Sequence, residues 1–381
     1  MSPRPSGPIG FRLFFNRMSP RRQGHSGVKN ARMSSWKRGA NPRKIHSGKA
    51  GFSLPLVLTI VAVLTTAYVF SLTSLIQLTE TTKLAQTRAE FERHAMTAEA
   101  RLSYLITTEP FCAALLNIGG PRNLAGNNTV AANTCTQAAA TESETTQVVL
   151  DSRPYFFFQT QDTASPYLAE IQDEAGLFNL YYASSDQLTR LFQQFAGMGD
   201  IDATNLAVEM QTYLAESTTL HQPIRRPAAI FSRLPDMADY ITPRMWNTLS
   251  DKITTYSDDN RFNVNTAPPD VMGVMFNIDP ETAGQIVENR EGAQNQITRL
   301  ADVGLISPTP NRAYTFSNGR FRFTLIDPES GLTYRSTLIL TPTDVSRPLW
   351  IENPRTLVTT PPNDVDPDVV KAFPNIPDLS S

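Results

Sequence analysis

Cysteine occurs only twice and histidine only four times in this chain of 381 residues. Two thiols cannot build a cysteine-rich zinc module. Two of the histidines lie in the first 50 residues, and neither His94 nor His221 has a Ser or Cys motif near it. Both therefore read as solvated or core side chains, and the sequence points away from an enzyme. Acid is missing from residues 1–50, which hold 12 Lys and Arg. Residues 51–381 carry 22 basic against 36 acidic side chains, a net of −14 that the near-neutral total conceals. A nucleic-acid surface on that acidic remainder is disfavoured, because phosphate binding needs an excess of Lys and Arg. Charge of either sign is missing from Phe52 to Thr79.

That uncharged run fills 28 positions. At a helical rise of ~1.5 Å per residue it exceeds the ~30 Å hydrocarbon core of a bilayer. It is longer than the ~7–15 apolar residues of a secretory signal and lacks a small-x-small cleavage site. Inner-membrane lipid is thus its expected partner. The basic flank precedes the run and the first acid after it is Glu80, so the positive-inside rule predicts a cytoplasmic N-terminus and an exported C-terminal part. Beyond the run, Leu84, Phe91, Ala95, Ala98, Leu102 and Leu105 recur at helical spacing. They predict an amphipathic continuation packed on a soluble domain.

In the exported part, Cys112 and Cys135 enclose a 24-residue loop. Outside the cytoplasm a disulfide between them is the expected state, with two buried free thiols as the alternative. Strand formers fill 147–181, helical periodicity takes over from about 183 to 312, and strict alternation returns at Arg320-Phe321-Arg322-Phe323-Thr324-Leu325 and at Thr333 to Leu340. A helical block bracketed by strands predicts one α+β domain whose sheet accepts an all-helical insertion. Residues 342–381 contain eight prolines and read as a disordered tail.

Within the block, Asp279 reads as an N-cap with Pro280 as the first helical residue, and Thr242-Pro243 repeats the pattern. Clustered acids raise the question of calcium. Asp200 and Asp202 begin the right alternation, but Asn205 and Gln211 stand where an EF-hand needs Gly and Glu. Asp251, Asp258 and Asp259 could instead gather oxygen ligands in a loop, with an acidic surface as the competing account.

Gly51 and Phe52 stand between the basic stretch ending in Lys49-Ala50 and the apolar run. Together with Ile171-Gln172-Asp173-Glu174-Ala175-Gly176-Leu177-Phe178-Asn179-Leu180, the block Phe262 to Ala267 and the strands Phe321 to Leu340, this order of features resembles the large minor pseudopilins of type II secretion, the protein K family. The resemblance implies that a prepilin peptidase cuts after Gly51 and methylates Phe52. It also implies a pilin-like domain carrying a large helical insertion at the tip of a periplasmic pseudopilus, with the other minor pseudopilins and the major pseudopilin as partners. Most pilins carry Glu at the fifth mature position, where this chain has Leu56. In the family that Glu meets the N-terminal amine of the preceding subunit, so its absence fits a subunit with no predecessor. The residues before Arg43 exceed the family's short leader, which implies an early start codon or a start at Met33.

The expected organisation is a cleaved basic leader (1–51), a long helix (52–110) that spans the membrane to about 79, a first pilin-like part (111–182), the helical insertion (183–312), returning strands (313–341) and the tail (342–381). A minor pilin of another type IV pilus-like system is one alternative. A membrane-anchored helix-hairpin-helix DNA receptor is the other, but Asn277-Ile278-Asp279 stands where that motif has Gly-hydrophobic-Gly, and a carboxylate there repels phosphate.

Overall fold

The computed structural model describes residues 53–109, 114–118, 146–157, 167–219, 224, 227–231, 242–256, 260–290, 296–308, 312–341, 348–358 and 370–373. The chain divides into two units, Met1–Leu72 and Thr73–Ser381. Helix α1, Ser53–Thr108, contributes to both.

In the first unit α1 is apolar all round, and its large side chains, Leu56, Leu58, Leu64 and Phe70 among them, are exposed. Four Ser and Thr hydroxyls on it are spent internally. Thr59 donates to the Pro55 carbonyl at 2.8 Å, Thr65 to Val61 at 2.7 Å, Thr66 to Ala62 at 2.8 Å and Ser71 to Ala67 at 2.8 Å. Such bonds to the preceding turn satisfy these four hydroxyl donors without water, as a lipid environment favours. Among the described residues α1 is the one helix long and apolar enough to cross a membrane.

A mixed α/β region follows in the second unit. Its strands are β1 (Leu115–Ile118), β2 (Thr146–Val149), β3 (Asp151–Phe157), β4 (Tyr167–Asp173), β5 (Phe178–Asn179), β6 (Ile253–Thr254), β7 (Arg320–Ile326), β8 (Leu332–Leu340), β9 (Leu349–Val358) and β10 (Lys371–Ala372). Six of them form the main sheet in the order β10-β3-β4-β7-β8-β9. Its pairings are antiparallel except for the parallel β10–β3 edge. Phe91, Ala95, Ala98, Leu102, Leu105 and Ile106 of α1 pack on Tyr155, Phe157, Ile171, Phe321, Phe323, Leu325 and Leu338. The predicted stripe is therefore the buried face, apart from Leu84, which stays 70% exposed about two turns above the core's first member. Across that core the Tyr334 hydroxyl donates to Glu99 Oε1 at 3.0 Å, giving the one acid on the buried face of the helix its partner.

Between β4 and β7 the chain builds α2 (Ser185–Ala196), α3 (Asp200–Thr219), α4 (Pro227–Phe231), α5 (Pro243–Lys252), α6 (Pro269–Phe276) and α7 (Pro280–Asn289). They close a second core around Phe178, Leu188, Phe192, Met210, Phe262, Met272 and Met275. Ser184 and Gln187 cap α2 reciprocally, and Gly197 ends it in the left-handed conformation that a Cβ disfavours. Thr242 and Asp279 cap α5 and α7 with Pro in the first helical turn, as their sequences predict.

Three expectations are corrected. The insertion is not all-helical, because β6 pairs in parallel with β5 through Phe178↔Ile253 and Asn179↔Thr254. The strand expected over Leu177–Tyr181 shrinks to two residues, because the Asn179 side chain takes the Tyr181 amide and turns the backbone into a 3-10 helix at Leu180–Tyr182. The Pro-rich segment is not simply a tail. It supplies β9, paired along β8, and β10, paired with β3. Pro354 is tolerated in β9 because that strand closes the order of the sheet, where a missing amide breaks no ladder.

Candidate functional site

Most of the residues expected to matter for processing and bridging, Gly51, Phe52, Cys112, Cys135, Asp258 and Asp259, lie outside the described residues. Leu56 sits in the first turns of α1, exposed among other exposed apolar side chains. Asp251 ends α5 with its carboxylate 2.7 Å from Arg335 Nη1. Among the described residues no group of three or more His, Cys, Asp or Glu is placed to hold a metal ion. His94 stacks on Tyr167 at 5.3 Å, and burial holds its pKa below the usual range.

The two internal segments behind the family resemblance meet in space. Asp173, at the end of β4, is fully buried and caps the 3-10 turn Glu174–Gly176 by accepting from the Ala175 amide at 3.1 Å. Its Oδ2 accepts from Asn263 Nδ2 at 2.8 Å and from the Thr266 hydroxyl at 3.3 Å, and its Oδ1 accepts from the Ser317 hydroxyl at 3.1 Å. Gln172 Nε2 donates to the Thr266 carbonyl at 3.0 Å, and the Asn263 amide donates to the Ala175 carbonyl at 2.8 Å. Asn265 continues the stitching to Ile297 through its side-chain oxygen and nitrogen, at 2.7 and 3.0 Å. Arg290, buried at the end of α7, donates to the carbonyls of Val264 and Ala267. These bonds give the polar atoms of the Asn263–Thr266 turn that they reach partners within the protein. Burial pushes the Asp173 carboxyl up to about 6, against the pull of its four donors.

A charged seam runs beside this hub, on the sheet face opposite α1. Strand alternation puts Phe321, Phe323 and Leu325 toward the helix and Arg320 and Arg322 away from it. Arg322 donates to the carbonyls of Ser250 and Asp251 at 3.1 Å and to that of Ile253 at 2.9 Å, capping the C-terminal end of α5. Glu174 receives Arg320 Nε at 3.3 Å and lies 3.7 Å from Arg322 Nη2. Glu170, one turn of the alternation away on β4, is pushed up to about 7 by burial first and by the Asp251 charge second, with Arg335 and Lys252 opposing. The arrangement clamps the helical block onto the sheet through buried and partly buried polar groups.

The sequence singled out the segments Ile171 to Leu180 and Phe262 to Ala267 without joining them, and it gave no role to Arg320, Arg322, Arg335, Glu170 or Glu174. The legible signal was arginine on alternate positions of a strand whose other positions are Phe. Such a strand buries one face in oil and needs acids or carbonyls on the other.

At the α6–α7 hairpin, Asn277 adopts the left-handed conformation with φ 56° and Asp279 caps α7. Asp279 takes the Thr282 amide at 2.8 Å and the Thr282 hydroxyl at 2.7 Å, and those bonds hold its carboxyl below the usual range. No protein-family model matches the chain, and no curated protein matches it.

Proposed function

We propose that this chain is a minor pseudopilin of the type II secretion kind, anchored in a bacterial inner membrane with its N-terminus in the cytoplasm, its α/β part in the periplasm, and a place at the filament tip. The observation that carries this reading is the pair of layers in the second unit. The amphipathic face Phe91–Ile106 of α1 lies on an antiparallel sheet, and a helical block enters between adjacent strands β4 and β7. Those layers support the reading of a pilin-like domain with a large insertion, which the resemblance implies. The uncharged surface of α1 supports a membrane anchor that polymerises through apolar contacts. Leu56 in place of the usual Glu supports a subunit that needs no predecessor.

The mechanism is assembly. The anchor joins neighbouring helices, and the block clamped at Asp173 and Arg322 presents a rigid mass that obstructs further addition. A DNA-receptor reading of the α6–α7 hairpin is weaker, since the Asp279 carboxylate already occupies the helix N-terminus that a phosphate would need.

Mass spectrometry of the mature protein tests the proposal. A chain beginning at N-methylated Phe52 is expected; a chain isolated from membranes with residues 1–51 intact overturns it. Deletion of 183–312 checks the obstruction, with longer filaments expected and unchanged length counting against it.

A further inference from the structure

β10 covers a short and chemically distinct part of the β3 edge. Within β3, Pro154 and the register shift between Asp151 and Pro154 interrupt the ladder, which leaves Tyr155, Phe156 and Phe157 as its regular aromatic stretch. β10 pairs there and only through Lys371↔Tyr155 and Ala372↔Phe156, in parallel. The Phe373 amide then donates to the Phe156 carbonyl at 2.7 Å. Both strand residues are exposed, whereas Phe373 is 6% exposed. Its ring stands 6.2 Å from Tyr155 edge-on and 5.8 Å from Phe157, and the Arg101 guanidinium of α1 lies 5.5 Å from its centre and 5.3 Å from that of Phe157. One aromatic anchor and two ladder residues make up the described attachment. Among the described residues the two ladder positions are exposed, and exposed ladder bonds are those that open locally at lower free energy.

We propose that the Tyr155–Phe157 edge with its Arg101-roofed pocket is a peptide-recognition groove that Val370–Phe373 fills in cis, and that its trans occupant is an extended segment of a partner protein bearing an aromatic residue at the Phe373 position. Strand addition of this type draws affinity from main-chain bonds and specificity from a pocket for one side chain. The cis occupant defines the chemistry. The ring must be aromatic, because it is clasped by two rings and a cation. The two preceding residues need only be extended, because they point to solvent. The opposite limit of the sheet order is guarded differently, since β9 carries Pro354 and a left-handed Asn353 that disfavour pairing. The groove is therefore the edge on which an added strand fits.

Full-length protein in detergent tests this with a fluorescent peptide of residues 370–376 as the probe. Phe373→Ala empties the pocket without altering the groove, so the variant is expected to bind the peptide at least about tenfold more tightly than wild type, whose own segment competes. The same peptide with its Phe changed to Ala is expected to lose binding to the variant by a similar factor. Hydrogen exchange at the residue 373 amide reports whether the variant's segment has opened. An opened segment without peptide binding overturns the proposal, as does equal binding by wild type and variant. Phe373→Tyr, which preserves the ring, provides the folded control and is expected to behave as wild type.

Discussion

Gly176 and Thr266 approach each other so closely that a Cβ on residue 176 would stand 2.6 Å from the Thr266 hydroxyl oxygen and 2.7 Å from its carbonyl carbon and oxygen. The backbone at 176 has no left-handed φ, so proximity and not conformation requires glycine there. Two segments 90 positions apart in sequence, Asp173 to Asn263, are thereby locked at backbone distance.

Gly176→Ala is expected to force the turn and the Asn263–Thr266 segment apart and to destabilise the second unit by about 1–3 kcal/mol, as overpacking does. Urea denaturation followed by tryptophan fluorescence checks this. An unchanged midpoint would mean that the two segments are not held together as described.

Stability at the hub is expected to fall as pH rises. The Asp173 and Glu170 carboxyls are held above their ordinary values, at about 6 and about 7. A raised folded-state pKa contributes stability that is fully present below the unfolded value of about 4 and is lost as pH passes through the folded value. For Asp173 the loss between pH 4 and pH 7 is on the order of 2–3 kcal/mol, and Glu170 extends it toward pH 8. Denaturation midpoints across pH 4–8 measure the slope. Asp173→Asn is expected to flatten the part below pH 7, and Glu170→Gln the part above pH 6.

Arg322→Lys is expected to destabilise the attachment of α5 more than its conserved charge suggests. A lysine cannot fork to the carbonyls of Ser250, Asp251 and Ile253 while staying near Glu174. Losing the fork leaves partly buried carbonyls without their donor, at a cost of about 1–3 kcal/mol. Hydrogen exchange over 245–254 reads the effect locally. Arg322→Met, which removes the charge as well, is expected to cost more.

Leu64→Arg places a cation in the middle of the uncharged run. Membrane insertion is expected to weaken by about 2.5–3.5 kcal/mol, which carbonate extraction and protease protection of the second unit would register. Full retention of Leu64→Arg in the membrane pellet would show that this helix face does not meet lipid.

Much of the architecture could be read in the chain itself, for identifiable reasons. An uncharged run admits few environments, a 3.6-residue stripe from Phe91 to Leu105 admits one buried face, and Asp-Pro or Thr-Pro before an apolar pattern starts a helix. Each of these signals is local. β9 and β10 were not legible, because prolines dominate the composition of 342–381 while strand pairing depends on the distant edges of β8 and β3. Leu177–Tyr181 has strand-forming residues, yet the Asn179 side chain offered its backbone a tighter alternative.

Sequence alone thus determined the apolar helix, the face it buries, the helical block between strands and the helix starts, since propensity, periodicity and capping act over a few neighbouring residues. The tertiary structure decided which strands share a sheet, that Phe373 closes an aromatic pocket beneath Arg101, and that Asp173 meets Asn263 and Thr266. Those outcomes depend on which buried polar groups find partners across the fold, and no stretch of chain carries that information by itself.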